Sequence, residues 1–368
     1  MKKTKLFIIL FFCVYIGGFF FLNIITSDSD FSELENRKLA TFPSFSIEKL
    51  VSGNWSKSIE TYVTDQFVAR DTFVSLKSTC ERLLGKQENN NIYIGSDHTL
   101  ISKFPIPDSN VLEKNVEQIQ AFISATDVPV HVALIPTQND IYADKLPANA
   151  PVVSQKAMID TVYQELDHTI DMYHTLEAHK DQYIYYHTDH HWTSLGAYYG
   201  YTALCEALNI TPIPLAQLEE NIVSTDFNGT TFSQSGVRYL PSDSISIYTD
   251  NHPILVEDET GTKEAMLYDE SFLDKHDKYR YFMNGNHPYV QIANPESNSE
   301  RNLLILKDSY SNALAPFLRE HFANVHLIDL RFTRMPVTEY IEEHQITDVV
   351  ICYSATNFIE PNNFLFLK

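Results

Sequence analysis

The spacing of apolar residues predicts alternating strands and helices in the last part of the chain. The apolar runs LLILK (303–307), NVHLIDL (324–330) and DVVICYS (348–354) are typical of buried strands. Between them, SNALAPFLREHF (311–322) and VTEYIEEHQ (337–345) have the pattern of helices. Such alternation implies a parallel sheet with helices on both faces, so we predict an α/β fold.

Earlier segments extend this prediction to residues 91–368. NIYIGSDHTLI (91–101) alternates like a short hairpin, and VPVHVALIP (128–136) is typical of another buried strand. We also predict helices at about 111–125, 154–180 and 193–209, with a strand at about 183–187. Residues 210–300 are irregular, which favours an insertion or an added β-layer within this domain.

The N-terminal segment predicts a membrane anchor. Residues 6–25 carry no charge and follow three lysines, and about 20 apolar residues suffice to cross a bilayer as a helix. The positive flank predicts a cytoplasmic N-terminus. A cleaved signal peptide is the alternative, but no A-x-A-like site follows. We therefore predict a single-pass anchor at 1–26, with the remaining chain extracytoplasmic.

Residues 27–90 predict a linker followed by a helical module. The stretch 27–45 is polar and then interrupted by proline, as in a membrane-proximal linker. From 46 to 85, apolar residues recur at three- and four-residue steps, as in Ile59, Tyr62, Val63 and Phe67. We predict helices there, packed on the main domain.

Composition narrows the classes of partner. The 368 residues include 44% hydrophobic ones, which argues against disorder, and carry a formal net charge of −21. Nucleic acid and an anionic lipid surface are both disfavoured as the main partner, because their negative charges would repel the chain. The four cysteines are far apart and lack both a disulfide framework and metal-ligand spacing.

Candidate catalytic side chains follow the predicted strands. Ligands bind at the carboxyl ends of strands in open parallel sheets. A hydroxyl, an imidazole, carboxylates and amides therefore gather at one edge, as a hydroxyl-nucleophile acyl-transfer site requires. The side chains in question are Gln138, Asn139, Asp140, Asp189, His190, His191, Trp192, Asp308, Ser309, Arg331 and Asn357.

Ser309 is the candidate nucleophile. A serine at a strand-to-helix turn points its hydroxyl into the cleft, and the free backbone N–H groups of the next helix can hold an oxyanion there. The alternative is an N-cap serine with a purely structural role. The acid and the histidines elsewhere in the chain favour the catalytic interpretation.

The segment Asp189–His190–His191 offers the acid and the base. An imidazole can accept the serine proton, and a carboxylate two residues away can fix its tautomer. A metal site that also uses His187 is the alternative. Adjacent side chains in extended backbone diverge, so we expect His190 to point away from His191 and predict no metal.

Three further residues have two interpretations each. Arg331 and Asn357 could orient substrate or complete the oxyanion hole, or they could be a salt-bridge residue and a turn residue. Trp192 could stack on a sugar ring or brace the histidine loop.

Five segments together resemble the bacterial DHHW family: ENRKLATFP, DQFVARD, DHHWTSLGAYYGY, FNGTTFS and LKDSYSN. That family is similar to cell-surface alginate O-acetyltransferases with an SGNH-hydrolase-like domain. The resemblance implies an Asp-x-His-Trp element at Asp189, His191 and Trp192, and an Asp-Ser element at Asp308 and Ser309. It also implies a circularly permuted SGNH fold, because Ser309 follows His191 in the chain. Lys307-Asp308 replaces the usual Gly-Asp, and Asn357 or Asn286 would be the family's asparagine.

The resemblance implies an O-acetyltransferase or acetylesterase acting on a cell-envelope polysaccharide, with Ser309, His191 and Asp189 in catalysis. No cofactor is expected. A transferase would need a multi-span membrane acyltransferase as acyl donor, whereas an esterase would not. The alternative from another class is a catalytically silent glycan-binding or scaffold protein of envelope biosynthesis.

Overall fold

The chain forms two compact units. The computed structural model describes residues 2–32, 35, 37–249, 254–264 and 267–367. One unit comprises residues 1–86 with the short segment 236–239, and the other comprises 87–235 with 240–368. The second unit holds all the candidate catalytic side chains.

The first unit begins with a long apolar helix. Its elements are α1 (Lys2–Ile25), β1 (Phe31–Ser32), β2 (Arg37–Lys38), α2 (Ile47–Val51), α3 (Asn54–Asp65) and α4 (Arg70–Leu83). At about 1.5 Å per residue, α1 is long and apolar enough to span a membrane. The helices predicted between 46 and 85 are confirmed as α2, α3 and α4.

The second unit alternates strands and helices. Its strands are β3 (Glu88–Asn89), β4 (Ile92–Ile94), β5 (Leu100–Ser102), β6 (Val130–Ile135), β7 (Thr169–Ile170), β8 (Glu219–Phe227), β9 (Asp243–Thr249), β10 (Leu255–Asp258), β11 (Gly261–Glu264), β12 (Tyr289–Ala293), β13 (Asn302–Lys307), β14 (Asn324–Ile328) and β15 (Asp348–Ser354). Its α-helices are α5 (Ser109–Ile123), α6 (Gln138–Ile141), α7 (Gln155–Gln164), α8 (Met172–Glu177), α9 (Ser194–Ala207), α10 (Thr230–Ser235), α11 (Ser311–Leu318), α12 (Val337–Glu343) and α13 (Ala355–Phe358).

The main sheet is mixed and rich in parallel pairs. Its order in the described chain is β11-β10-β12-β14-β13-β15-β6-β7. The strands from β14 to β7 pair in parallel, and β12, β10 and β11 extend that edge by antiparallel pairing. The four strands predicted at 128–136, 303–307, 324–330 and 348–354 are confirmed. The irregular region contributes the antiparallel edge and a separate β8–β9 pair.

Alternate residues of each strand feed two cores. In β13, Leu303 and Ile305 face a core shared with α9 and α11, whereas Leu304 and Leu306 face one shared with α5, α7 and α12. The central strands are therefore apolar on both sides, as their continuous apolar runs predict. The α/β fold with helices on both faces is confirmed.

Two predicted elements are wrong. The segment 154–180 is not one helix, because α7 ends at Gln164 and the short strand β7 precedes α8. His168 adopts a left-handed conformation (φ 56°), which a continuing helix cannot contain. The segment 183–187 forms no strand of the main sheet; Tyr185 pairs with Trp192 in a single antiparallel bridge.

Candidate active site

Ser309 lies in the turn between β13 and α11. Asp308, which is fully buried, organises this turn. Its carboxylate accepts hydrogen bonds from the backbone N–H of Tyr310 (3.0 Å), from that of Ser354 (2.8 Å) and from Asn357 Nδ2 (2.8 Å). Asp308 thus fixes the serine turn to the end of the neighbouring strand β15 and has no surface for substrate.

The loop from Tyr185 to Trp192, which we call the histidine loop, is a tight hairpin rather than an extended strand. The bridge between Tyr185 and Trp192 closes the loop, and Thr193 then caps α9 by accepting from the N–H of Gly196. Trp192 is fully buried, and its indole N–H donates to the carbonyl of Tyr310 (2.9 Å). The indole therefore ties the histidine loop to the serine turn and presents no surface to a sugar ring.

Close packing along α9 makes room for this indole. A Cβ at Gly200 would lie 2.8 Å from ring atoms of Trp192, and one at Gly196 would lie 2.9 Å from the Trp192 Cβ. The tryptophan ring therefore requires Gly200, whereas Gly196 is required chiefly by the Ile184 carbonyl, whose oxygen would lie 2.2 Å from a Cβ there.

The acid, the base and the hydroxyl form a continuous chain of hydrogen bonds. His191 Nε2 lies 2.8 Å from Ser309 Oγ, and His191 Nδ1 lies 2.5 Å from Asp189 Oδ1. The other carboxylate oxygen of Asp189 accepts from the N–H of Thr230 (2.6 Å). The three predicted residues thus meet within hydrogen-bond distance, although 118 positions separate His191 from Ser309 in the chain.

Electrostatics determine the direction of these bonds. Burial opposes ionisation of Asp189, but the neighbouring His190 and His191 and the hydrogen bonds from His191 and Thr230 outweigh it, so the Asp189 pKa lies well below its usual range. An ionised carboxylate only accepts, so Nδ1–H of His191 donates to it. Nε2 is then free to accept the Ser309 hydroxyl proton, which is the geometry of an activated nucleophile.

Sequence reasoning did not identify two groups that support this chain. A Cβ at Gly229 would lie 2.3 Å from Asp189, so only glycine lets the N–H of Thr230 reach the carboxylate. The ring of Tyr279 stacks on His191 (centroids 3.7 Å, 7°), and its hydroxyl donates to the Ser309 carbonyl (3.2 Å). The FNGTTFS segment carries a signal for the first group, whereas Tyr279 lies in a region without regular patterning.

His190 does not point away from His191, and that prediction is wrong. Their ring centroids are 3.8 Å apart because the backbone bends through this loop. Burial, followed by the charge of His191, lowers the pKa of His190 to about 4. Asp189, His190 and His191 bring ligand atoms within 4.8 Å of one another. However, the Asp189 oxygens and the His191 nitrogens already bond to protein partners, which gives a metal ion few free donors.

Arg331 and the helix N–H groups lie outside the reacting chain. Arg331 forms a bidentate pair with Asp329 (2.9 and 2.6 Å), as in the salt-bridge alternative. The expectation of free N–H groups after Ser309 is wrong for the next three residues. Tyr310 N–H donates to the Asp308 carboxylate, Ser311 N–H to the Asp308 carbonyl and Asn312 N–H to the Ser309 carbonyl.

Asn357 belongs to the support of the serine turn. Its Nδ2 donates to Asp308 and to Ser354 Oγ (3.2 Å). Asn286, the alternative family asparagine, is exposed and accepts from Asn312 Nδ2 (3.1 Å).

A buried lysine lies beneath the site. Lys307 is 1% exposed, and its Nζ donates to Asn312 Oδ1 (2.6 Å). Burial lowers the pKa of Lys307 to about 8, although Asp329 and Asp308 act in the opposite direction. The serine turn is therefore held from below by a polar contact in an otherwise apolar sheet.

A cleft of about 220 Å³ adjoins the histidine loop at the carboxyl edge of the sheet. His190 and Tyr310 contribute to its wall, and the remaining lining side chains carry hydroxyls, amides and one ammonium. Its lining contains no carboxylate. Such a surface suits a neutral, hydroxyl-rich ligand.

Comparisons with known proteins agree on one family. The family model described as DHHW protein matches residues 35–128 and 123–328. A DHHW family protein from Eubacterium siraeum is 26% identical, with 75% of this chain and 94% of that chain covered and a TM-score of 0.63.

Further solved structures are similar to this chain. Bacillus cereus PatB1 with a sulfonyl adduct is 21% identical, with 75% of this chain and 98% of that chain covered and a TM-score of 0.63. The O-acetyltransferase domain of Pseudomonas putida AlgJ is 16% identical, covers 76% of this chain and 95% of that chain, and has a TM-score of 0.45. A search of curated proteins found no match.

The matched segments include the histidine loop, the Gly229 segment and the serine turn, which are the parts of the chain that build the site described above. The family model covers well over half of the sequence. The protein belongs to the DHHW family.

Proposed function

We propose that this protein is an extracytoplasmic O-acetyltransferase or acetylesterase that acts on a cell-envelope polysaccharide. The single observation that carries the proposal is the hydrogen-bonded chain from Asp189 through His191 to Ser309, with both links at 2.8 Å or shorter. Its catalytic domain would be a circularly permuted SGNH-hydrolase-like fold, anchored in the cell membrane by α1.

The proposed reaction has two stages, acylation of Ser309 and transfer of the acetyl group to an acceptor. Ser309 Oγ bonds to the acetyl carbonyl carbon of the donor while its proton passes to His191 Nε2. His191 then protonates the departing alcohol, which leaves acetyl-Ser309. An acceptor hydroxyl next attacks this ester and gives its proton to His191; as the acetyl group leaves Ser309 for the acceptor, His191 returns the proton to Ser309 Oγ. Water in place of the acceptor makes the same enzyme an esterase.

Asp189 acts through His191. Its low pKa keeps it ionised, so it stabilises the imidazolium that forms in each step. Because the N–H groups of Tyr310, Ser311 and Asn312 already donate within the protein, the oxyanion donor has to be another group, and the N–H of Ser309 itself is our candidate.

The adjoining cleft favours a sugar as acceptor. Its lining includes the hydroxyls of Thr137, Thr230 and Thr356, which can pair with sugar hydroxyls in both directions, and it contains no acid. A transferase additionally requires a multi-span membrane acyltransferase to supply acetyl groups, whereas an esterase does not.

The test is turnover of p-nitrophenyl acetate by the full chain. We expect Ser309→Ala and His191→Ala each to lower kcat/KM by about 1,000-fold or more, because the nucleophile and the base act together and each variant removes one of them. Ser311→Ala, two residues further along the turn, is the matched control and should retain activity. Equal turnover by the wild type and both site variants would overturn the triad.

Covalent labelling gives a second measurement that does not depend on the acyl donor. Methanesulfonyl fluoride, matched to the kind of adduct seen in PatB1, should sulfonylate Ser309 and be located there by peptide mass spectrometry. The His191→Ala variant should label far more slowly. No turnover together with no labelling would favour the catalytically silent glycan-binding protein.

A further inference from the structure

Helix α4 turns its apolar side chains outward. Phe73, Leu76, Cys80 and Leu83 recur at helical spacing on one face, and the three apolar ones are 36%, 55% and 83% exposed. Ser78, on a different face, is 5% exposed. Surface helices of water-soluble proteins have the reverse arrangement, with the apolar face inward.

The inversion extends through residues 27–86. On α2, Ile47, Leu50 and Val51 share a face and are all exposed. Among the described residues of this range, the buried ones are Ser32, Asp65 and Ser78, none of which is apolar. Burial of apolar side chains within this segment therefore supplies little of its stability in water.

Polar contacts hold the interior instead. Arg37 pairs with Asp65 (2.6 Å), and Arg70 pairs with Glu35 (2.5 Å). The backbone N–H of Ala40 also donates to Asp65 (2.9 Å). A polar interior with an apolar exterior is the arrangement expected where the surrounding medium is itself apolar.

The inverted surface is continuous with α1. Phe19 of α1 contacts the rings of Phe67 and Phe73, each with centroids 5.6 Å away, and Asn23 Oδ1 accepts from the N–H of Val68 (2.9 Å). Phe19 precedes the end of α1 at Ile25 by six residues, or about 9 Å along the helix axis. That is the depth, about 5–10 Å, at which interfacial amphipathic helices rest in a bilayer.

An apolar recess lies at the same place. It has a volume of about 520 Å³, and its lining includes Ile16, Phe19 and Phe20 of α1 with Val63 of α3 and Phe67. Its dimensions and chemistry suit part of a lipid acyl chain.

The balance of acidic and basic side chains also distinguishes residues 27–86 from the rest of the chain. Residues 27–86 carry nine acidic and eight basic side chains, whereas residues 87–368 carry 39 acidic and 16 basic ones. An anionic bilayer surface would repel the larger segment strongly and the smaller one hardly at all.

We propose that residues 42–84 form a lipid-binding module that embeds its exposed apolar face in the headgroup–acyl boundary of the membrane that α1 crosses. The module binds phospholipid hydrocarbon as a class, through α2, α3 and α4, and is an interfacial element rather than a spacer. It is independent of whether the second unit is catalytic.

Cys80 provides a natural probe of this surface. The full chain with Cys13→Ala is labelled at Cys80 with a nitroxide and reconstituted in phosphatidylcholine–phosphatidylglycerol liposomes; Cys205 and Cys352 are buried and stay unlabelled. We expect collisions with oxygen to exceed collisions with a water-soluble nickel chelate several-fold. A matched label at Lys114→Cys, in a Cys80→Ser background, lies on exposed surface of α5 and should show the reverse.

The measured accessibilities show whether lipid, water or a second copy of the chain lies against this apolar face. Equal, water-like accessibility at positions 80 and 114 overturns the proposal. Protection at Cys80 that disappears when the protein is diluted tenfold in lipid assigns the surface to a second copy of the chain and also overturns it. Leu76→Glu with Leu83→Glu should raise nickel collisions at Cys80 several-fold. The control Ile106→Glu with Ile222→Glu, at exposed apolar positions of the second unit, should not.

Discussion

The two units of this protein differ in where they place their apolar side chains. In the second unit, strands such as β13 are apolar on both faces and lie between two cores. Between residues 27 and 86, none of the described apolar residues is buried as fully as Asp65. The difference shows that binary patterning specifies structure only relative to the medium on the other side of each helix.

The largest expected effect is the loss of stability when a core side chain of the second unit is truncated. Leu304 is fully buried in β13, so Leu304→Ala should lower the free energy of unfolding of the second unit by about 2–5 kcal/mol. Leu76→Ala, at an exposed position of α4, should change the free energy of unfolding of the first unit by less than about 0.5 kcal/mol. Urea titration measures the first change by Trp192 fluorescence in a Trp55→Phe background, and the second by Trp55 fluorescence in a Trp192→Phe background. A loss below about 1 kcal/mol for Leu304→Ala would contradict a rigid core there.

The second effect concerns Lys307, which is buried in β13 beneath the site. Its folded pKa of about 8 is below the unfolded value of about 10.4, so the folded state binds fewer protons between those values. Stability therefore rises with pH from about 8 to about 10.4, by roughly 3 kcal/mol at most. Lys307→Met removes this dependence. We expect the difference in unfolding free energy, wild type minus variant, to grow across that window; a flat difference would exclude a depressed pKa.

The smallest effect tests the polar interior of the first unit. The hydrogen bonds from Arg37, only partly opposed by burial, lower the pKa of Asp65 to about 2. This contribution to stability is present above about pH 4 and is lost as the pH falls through 2. Because the Arg37 side chain is 39% exposed, we expect Asp65→Asn to remove only about 1 kcal/mol at neutral pH.

Trp55 fluorescence in a Trp192→Phe background measures this loss. Asp71→Asn, which changes a more exposed carboxylate beside Arg70, is the matched control and should have little effect. A larger loss from Asp71→Asn than from Asp65→Asn would show that the interior contacts are not what holds this unit together.

The predictable and unpredictable parts of the site differ for a physical reason. Ser309 lies where the strand-end rule predicts, just after β13, whereas Asp189 and His191 reach it from a hairpin outside the main sheet. The apolar pattern does not show where an aspartate carboxylate accepts a hydrogen bond from a nearby backbone N–H group. Asp189, Asp308 and Asp329 each accept the backbone N–H of the residue two positions on. That repeated turn commits the N–H of Tyr310 and orients Arg331 towards Asp329 instead of the cleft.

The same limits apply to the fold. Continuous apolar runs identified β6, β13, β14 and β15 because both faces of each are buried. The two-residue strand β7 has no period to read, and only its pairing with β6 defines it. Tyr279 reaches His191 from a region of short turns, so its role depends on tertiary packing that no local pattern encodes.

The strand order also has a consequence for synthesis of the protein. Strand β6 pairs with β15, and β15 pairs with β13, so the middle of the sheet comes from the two ends of the second unit's sequence. A growing chain that has reached residue 300 carries the histidine loop but neither the serine turn nor the strands that flank it. Such long-range pairing is slow to form. The chain of hydrogen bonds from Asp189 through His191 to Ser309 can therefore form only near the end of synthesis, after the histidine loop has already been made.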